Sequence, residues 1–309
     1  MKKLLLASTA LVMSAGVAAA DVTLSGDGRM GIVYTSGVDN NFRLDSRARV
    51  MFTLSGETDT GLSFGANFRA HTAQDAASGN MGLNGATIFI AGDFGRLTMG
   101  DTQGAVQAAV GDLHGVGLTG LGFLNENTFI HRNFNGGLGN TGSTNALYSY
   151  SIDGLDFYAA VGQTATTPFG DNVDMYGIGA RYELDGFAFG GGYEYLSVGN
   201  FSGGHLAIAG EANFEGVSIR ATAGRVDSDL RDIVVSRNQL GLSASGTFDA
   251  TTVSAFVRRD FFRDTHYGLG ASYDLGGGAA FEGGVRRTSF NAAGVSSQTV
   301  ADMGLSFSF

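Results

Sequence analysis

Between Leu62 and His71 the chain reads LSFGANFRAH, which puts Leu62, Phe64, Ala66, Phe68 and Ala70 on one face of an extended strand and Ser63, Gly65, Asn67, Arg69 and His71 on the other. YGIGARYEL, residues 176–184, repeats the pattern, with Tyr176, Ile178, Ala180, Tyr182 and Leu184 opposed to Gly177, Gly179, Arg181 and Glu183. A period of two over nine or ten residues is that of a β-strand with one apolar and one polar face. The same period recurs along the chain. No stretch beyond the N-terminus approaches the roughly twenty apolar residues of a spanning helix. Any membrane crossing must therefore be made by strands.

The strands come in pairs. Short Gly/Asp turns fall at 57–61, 92–95, 152–154, 184–186, 214–216, 248–251 and 275–278, seven in all. Longer polar segments lie near 36–42, 74–83, 103–144, 164–173, 197–204, 227–236, 260–265 and 289–297, eight in all. Seven short and eight long connections join sixteen strands, all antiparallel. Short turns at one end and long loops at the other characterise a closed transmembrane barrel. An exported β-sandwich or propeller would also alternate, but strands of ten residues or more match a tilted transmembrane span better than the five or six usual in soluble sheets. Aromatics near the strand ends, among them Tyr34, Tyr148, Tyr158, Tyr195, Phe261 and Tyr267, suit an interfacial girdle.

The ends fit this picture. Lys2 and Lys3, an apolar run from Leu4 to Met13 and the small residues Ala18–Ala20 have the layout of a cleaved export signal over residues 1–20. The barrel then occupies 21–309. Cysteine is absent, so disulfides do not hold the fold. Fifty glycines would suggest disorder, but a single proline, 23 Phe and 10 Tyr contradict it. At the C-terminus, ADMGLSFSF turns Ala301, Met303, Leu305, Phe307 and Phe309 to lipid and Asp302, Gly304, Ser306 and Ser308 to water. Pairing of this last strand with the one beginning at Asp21 would close the barrel, because an open edge in lipid leaves backbone groups unsatisfied.

In such a barrel the polar face lines the lumen. Both lysines lie in the export signal, so residues 21–309 carry seventeen arginines against twenty-nine acids, a poor composition for binding nucleic acid. Arg29, Arg47, Arg49 and Arg69 project inward from the first three strands as a cluster on one wall. A solvated pore relieves their mutual repulsion better than a dry core would. Segment 103–144 lacks alternation, and so long a structureless connection is usually functional. Its Leu121, Phe123, Leu124, Phe129 and Phe134 favour a segment folded inward to narrow the lumen, while packing on itself at the surface is the other reading. The five histidines are scattered, with no metal or triad spacing to suggest an enzyme.

LSGDGRMGIVY (24–34), FTLSGETDTGLSFGANFRAH (52–71), FGRLTMGD (94–101), GDLHGVG (111–117) and YGLGASYDLGGGA (267–279) carry a resemblance that extends over residues 21–309. The chain resembles the general diffusion porins of alphaproteobacteria, the Rhodobacter type. That resemblance implies passive diffusion of small hydrophilic solutes through a homotrimeric outer-membrane barrel surrounded by lipid and lipopolysaccharide. It also implies a third loop lying opposite the arginine wall, and a terminal aromatic, Phe309 with Phe307, read by the barrel assembly machinery. Third loops of this family often carry several acids and sometimes calcium. Here only Asp112 and Glu126 are present, too few for the six to eight oxygens of a calcium site. The arginines should then dominate and give a mild anion preference. A solute-specific channel is the nearest alternative, and an outer-membrane enzyme or an adhesive anchor are more distant ones.

Overall fold

The computed structural model describes residues 21–73, 82–132, 144–164, 173–199, 201–230 and 233–309. The strands in chain order are β1 (Asp21–Thr35), β2 (Phe42–Glu57), β3 (Ser63–Ala73), β4 (Gly82–Gly92), β5 (Gly95–Gly100), β6 (Thr144–Ile152), β7 (Leu155–Thr164) and β8 (Val173–Leu184). They continue with β9 (Phe187–Val198), β10 (Phe201–Phe214), β11 (Val217–Leu230), β12 (Ile233–Phe248), β13 (Thr251–Arg259), β14 (Thr265–Gly276), β15 (Ala279–Ser289) and β16 (Gln298–Ser308). One short helix, α1 (Ala105–Val110), lies between β5 and β6. Each strand pairs antiparallel with its chain neighbours, and β16 pairs with β1 to close the barrel.

All seven tight turns lie at one end. Two of them show why the sequence turns there: Asp153 and Gly154, and Glu215 and Gly216, all have positive φ, as a type I′ hairpin of matching twist requires. Two expected loops are much shorter than the sequence suggested. β9 runs to Val198 and β10 begins at Phe201, while β11 ends at Leu230 and β12 begins at Ile233. Segments 197–204 and 227–236 therefore belong mostly to strands, whose polar residues stand above the apolar band.

The outer face keeps the alternation read from the sequence. Leu24 is 61% exposed, Ile178 65% and Met303 58%, levels that recur around the wall and mark it as a lipid-facing surface. Two girdle candidates point the other way: Tyr158 packs toward a cluster containing Ala105 and Leu147, and Phe261 is buried edge-on to His205.

Closure is staggered. The N–H of Phe309 donates to the carbonyl of Gly26 at 2.9 Å, and Asp27 faces Ser308. Asp21 instead faces Ser55 of β2 and lies beyond the end of β16. The expected role of Asp21 in the seam thus passes to Gly26 and Asp27, because strands tilted in a barrel close only with a shifted register. Phe307 and Phe309 stack outside the seam with ring centres 6.5 Å apart.

The connection from β5 to β6 folds into the lumen, and the buried core forms between it and the wall. α1 packs on β8 and β9, where glycine is the inward-facing residue. A Cβ on Gly179 would come within 2.6 Å of the Ala105 carbonyl oxygen, and one on Gly190 would overlap that of Ala109. Further along, Gly117 sits against Gly284, and Leu118 fits between Gly31 and Gly304. A bare track of wall glycines thus lets the loop lie close, from β8 round to β1.

Polar bonds then fix it. Buried Asp302 accepts the backbone N–H groups of Leu118 at 3.1 Å and Thr119 at 2.7 Å, and the Thr119 hydroxyl at 2.6 Å. On the returning arm, Glu194 accepts the N–H groups of Ile130 at 2.7 Å and His131 at 3.2 Å. Gln239 holds both the N–H and the carbonyl of Thr128. The two arms are tied by Asn125, which donates to the Leu113 carbonyl, and by Asn127, which donates to that of Gly111.

Gly190→Val should displace α1 and cost about 1–3 kcal/mol as overpacking, seen as a lower Tm with barrel circular dichroism retained. Asp302→Ala should orphan two buried N–H groups, at about 1–3 kcal/mol. Its signature is increased open-channel current noise in planar bilayers; a channel as quiet as the unsubstituted one would show that Asp302 does not hold the loop.

Candidate functional site: the pore lining

The first three strands carry the arginine wall because the two-residue period points Arg29, Arg43, Arg47, Arg49 and Arg69 inward. Arg29 faces Arg47 across β1 and β2, Asp27 faces Arg49, and Arg69 faces Met51 across β2 and β3. Sequence-neighbouring strands thus gather the four arginines into one patch. Arg29 Nε donates to Asp45 Oδ2 at 2.7 Å and Arg47 Nη2 to Asp27 Oδ1 at 2.8 Å. Arg49 lies 3.8 Å from the second oxygen of Asp27, and Arg43 lies 3.5 Å from Asp45. The charge of Asp101 acts on Arg69. Five guanidinium groups therefore meet three carboxylates, leaving an excess of two positive charges on this wall.

The loop acids do not pair with that wall. Arg132 grips Asp112 with two hydrogen bonds, of 3.1 and 2.9 Å, and reaches Glu126 at 2.7 Å. Such a bidentate fork is the strong form of an arginine–carboxylate contact. Arg258 of β13 adds a second positive charge, donating to the Thr128 hydroxyl at 2.7 Å and the Leu124 carbonyl at 3.4 Å. Asp112 and Glu126 are thereby balanced locally by Arg132 and Arg258.

Protonation follows from this packing. Burial pushes the Glu126 carboxyl above the usual carboxylate range, against the pull of Arg132 and with help from the charge of Asp112. For Arg132, burial works against the charge, but the hydrogen bond to Asp112 and the charges of Asp112 and Glu126 outweigh it and raise its pKa. His114, bonded to Ser243 Oγ at 2.8 Å, has its pKa lowered by burial and by Arg220. It is neutral at pH 7.

The apolar residues of the loop divide. Leu121 and Phe129 are buried against the wall, whereas Phe123 is 50% exposed; Phe134 lies outside the described residues. A further ionic cluster sits near the short-turn end, where Glu211 joins Arg181 and Arg220, and Arg220 also donates to the Asp112 carbonyl at 2.7 Å. Among the described residues no group of three or more acids and histidines is placed to hold a metal.

Sequence reading missed Glu194, Gln239, Asp302 and Arg258 as anchors of the loop, since an inward polar residue looks the same whether it meets water or a folded-in segment. Arg132 carried a usable signal. It is the one arginine in 103–144, and counting it beside the two acids would have shown the segment to be nearly balanced.

Comparison with known proteins agrees with this architecture. A family model described as Gram-negative porin matches residues 7–293. The chain is 36% identical to a porin of Rhodobacter capsulatus over 313 residues, covering 94% of this chain and 100% of that protein. It is 28% identical to a porin of Fuscovulum blasticum, with 94% and 100% covered. Among solved structures it is similar to a porin refined at 1.8 Å resolution, with a TM-score of 0.77, 31% identity, and 93% of this chain and 100% of that one covered. A triple mutant of Rhodopseudomonas blastica porin superimposes with a TM-score of 0.65 at 25% identity, again with 93% and 100% covered. These relatives are channel proteins rather than enzymes. The chain belongs to the Gram-negative porin family, whose members are channels of the bacterial outer membrane.

Proposed function

We propose that this porin passes small hydrophilic solutes through a constriction between the arginine wall of β1–β3 and the loop of residues 103–144, and that it prefers anions mildly. One observation carries the selectivity: the wall has an excess of two positive charges, while the loop acids are balanced by Arg132 and Arg258. An anion crossing between them meets a net attractive field that the acidic charge of the whole chain, dispersed over loops and rims, does not cancel. Solvated charges at a narrow place decide passage because they act within a Debye length of the ion.

The same reading takes residues 1–20 as a removed export signal, the mature barrel as a homotrimer, and Phe309 with Phe307 as the signal for the assembly machinery. The resemblance to Rhodobacter-type porins supports each of these.

Replacing Arg47 and Arg49 together by alanine should abolish the mild anion preference, because three guanidinium groups then face three carboxylates. A unit charge about 4 Å from an ion is worth about 1 kcal/mol in water, so each loss lowers anion permeability by up to about fivefold and eases cation passage correspondingly. Reversal potentials under a salt gradient in planar bilayers measure it, and an unsubstituted protein that is cation-selective at pH 7 would refute the proposal.

The pH dependence has a definite sign. Because the Glu126 pKa is raised, this carboxylate loses its charge on acidification at a pH above the value of about 4.3 for an ordinary glutamate. Anion preference should therefore rise as pH falls through that window. Glu126→Gln should show the acidic behaviour already at pH 7, and retention of the full pH response in this variant would assign the titration elsewhere.

A further inference from the structure

The tip of the inserted loop is strained. Gly120, Leu121, Gly122 and Phe123 have φ of 74°, 47°, 84° and 56°, four consecutive residues in the left-handed region. Glycine adopts that region freely, but Leu121 and Phe123 do so at a cost and only where the surroundings hold them. Leu121 is held by burial against Val33 of β1 and Val300 of β16. The N–H of Phe123 donates to the Gly120 carbonyl at 2.8 Å. Its ring lies over Gly120, where a Cβ would come within 2.7 Å of it.

The result is an aromatic ring held toward the lumen. Phe123 is 50% exposed, and among the described residues of segment 103–144 no other large apolar side chain is exposed. Its neighbours in the tip turn to the wall: Leu118 lies against Gly31 and Gly304, both inward positions of a closed barrel. An exposed ring on a segment docked inside a closed wall faces the channel. A ring kept for packing would be buried, as Phe129 is.

The polar side chains around the ring are already committed. The Thr119 hydroxyl donates to Asp302, the amides of Asn125 and Asn127 donate to loop carbonyls, and the Thr128 hydroxyl accepts from Arg258. Glu126 is held by Arg132 at 2.7 Å. The tip thus offers a solute an aromatic face beside half-buried Leu124, and little hydrogen bonding. Positive charge lies close by on the wall. Arg29 is the next inward residue from Gly31 toward the short turns, about 7 Å along β1, and it faces Arg47 on β2. Arg49 follows at the next inward position of β2.

We infer that Phe123 and the arginine wall together form a transient site for small aromatic carboxylates, with the ring of the solute on Phe123 and its carboxylate on the guanidinium groups of Arg47 and Arg49. A guanidinium offers a carboxylate two parallel donors. Aryl rings in contact pack offset or edge-on and gain more than the apolar area they bury. The committed hydroxyls and amides leave a sugar little to bond with at this tip, and a small inorganic anion gains nothing from the ring. Binding through one ring and one carboxylate is weak enough to release, as passage demands. The strained backbone holds the ring in place before the solute arrives, which spares part of the ordering cost of binding.

This site rests on the constriction proposed above and gives it a preferred class of solute. Its test is the ionic current of the full mature barrel in planar bilayers, in potassium chloride at pH 7, titrated with millimolar benzoate, acetate or benzyl alcohol. Benzoate should reduce the current saturably. Acetate, which has the charge without the ring, and benzyl alcohol, which has the ring without the charge, should not. Phe123→Ala should raise the half-blocking concentration of benzoate about two- to twelvefold, Phe123→Tyr should keep it near the unsubstituted value, and Arg47→Ala/Arg49→Ala should raise it as well. No block by benzoate, equal block by acetate or benzyl alcohol, or an unaltered benzoate block in Phe123→Ala would each overturn the inference while the reversal potential still shows anion preference. An unsubstituted barrel without that preference would instead count against the field of the arginine wall, the reading on which the site rests.

Discussion

Everything in this structure follows from the need to satisfy backbone N–H and C=O groups where no water is present. Strands can do so in lipid only by pairing on both sides, and the last must therefore meet the first. The sixteen-strand closure achieves this through β1 and β16. Once the wall is closed, the two-residue period divides the side chains without further instruction. Most Leu, Ile, Phe and Tyr of the strands go to the hydrocarbon, while most arginines, glycines and acids go to the lumen.

A closed wall alone would leave a wide hole, and what fills it is a segment with no regular partner strand. Glycine makes this possible in a way unrelated to flexibility. At Gly179, Gly190 and Gly284 the absence of a side chain leaves room for another backbone, so the loop approaches the wall as closely as a packed core element would. Carboxylates and an amide, Glu194, Asp302 and Gln239, then take the place of the ladder bonds that the loop lacks. They lie on β9, β16 and β12, and the arginine patch lies on β1–β3. Anchorage and charge are thus carried by different strands, and the charge of the pore can vary without loosening its constriction.

Much of this was legible in the sequence. Strand number, all seven tight turns and the facing of most side chains follow from a period of two with Asp-Gly and Glu-Gly punctuation. The inward direction of Arg29, Arg47, Arg49 and Arg69 follows from the same parity. Other features were beyond it. Periodicity gives facing but not register, so Asp21 was placed in a seam that begins at Gly26. Polar strand ends at 197–204 and 227–236 read as loops, because strands standing above the membrane lose the apolar half of their alternation. The loop anchors depend on contacts between residues more than sixty positions apart, such as Glu194 with Ile130, and no local pattern encodes them.

The bond from Asp302 to the loop tip has a consequence for the order of events in assembly. Asp302 lies in the final strand, and its partners Leu118 and Thr119 are made long before it. The loop tip therefore lacks these hydrogen bonds until β16 is in place, and β16 is in place only when it has joined β1. Sealing the wall against lipid and fixing the last part of the loop are one step. A barrel arrested before that step would be leaky in two senses at once, open along its side and ungated along its axis.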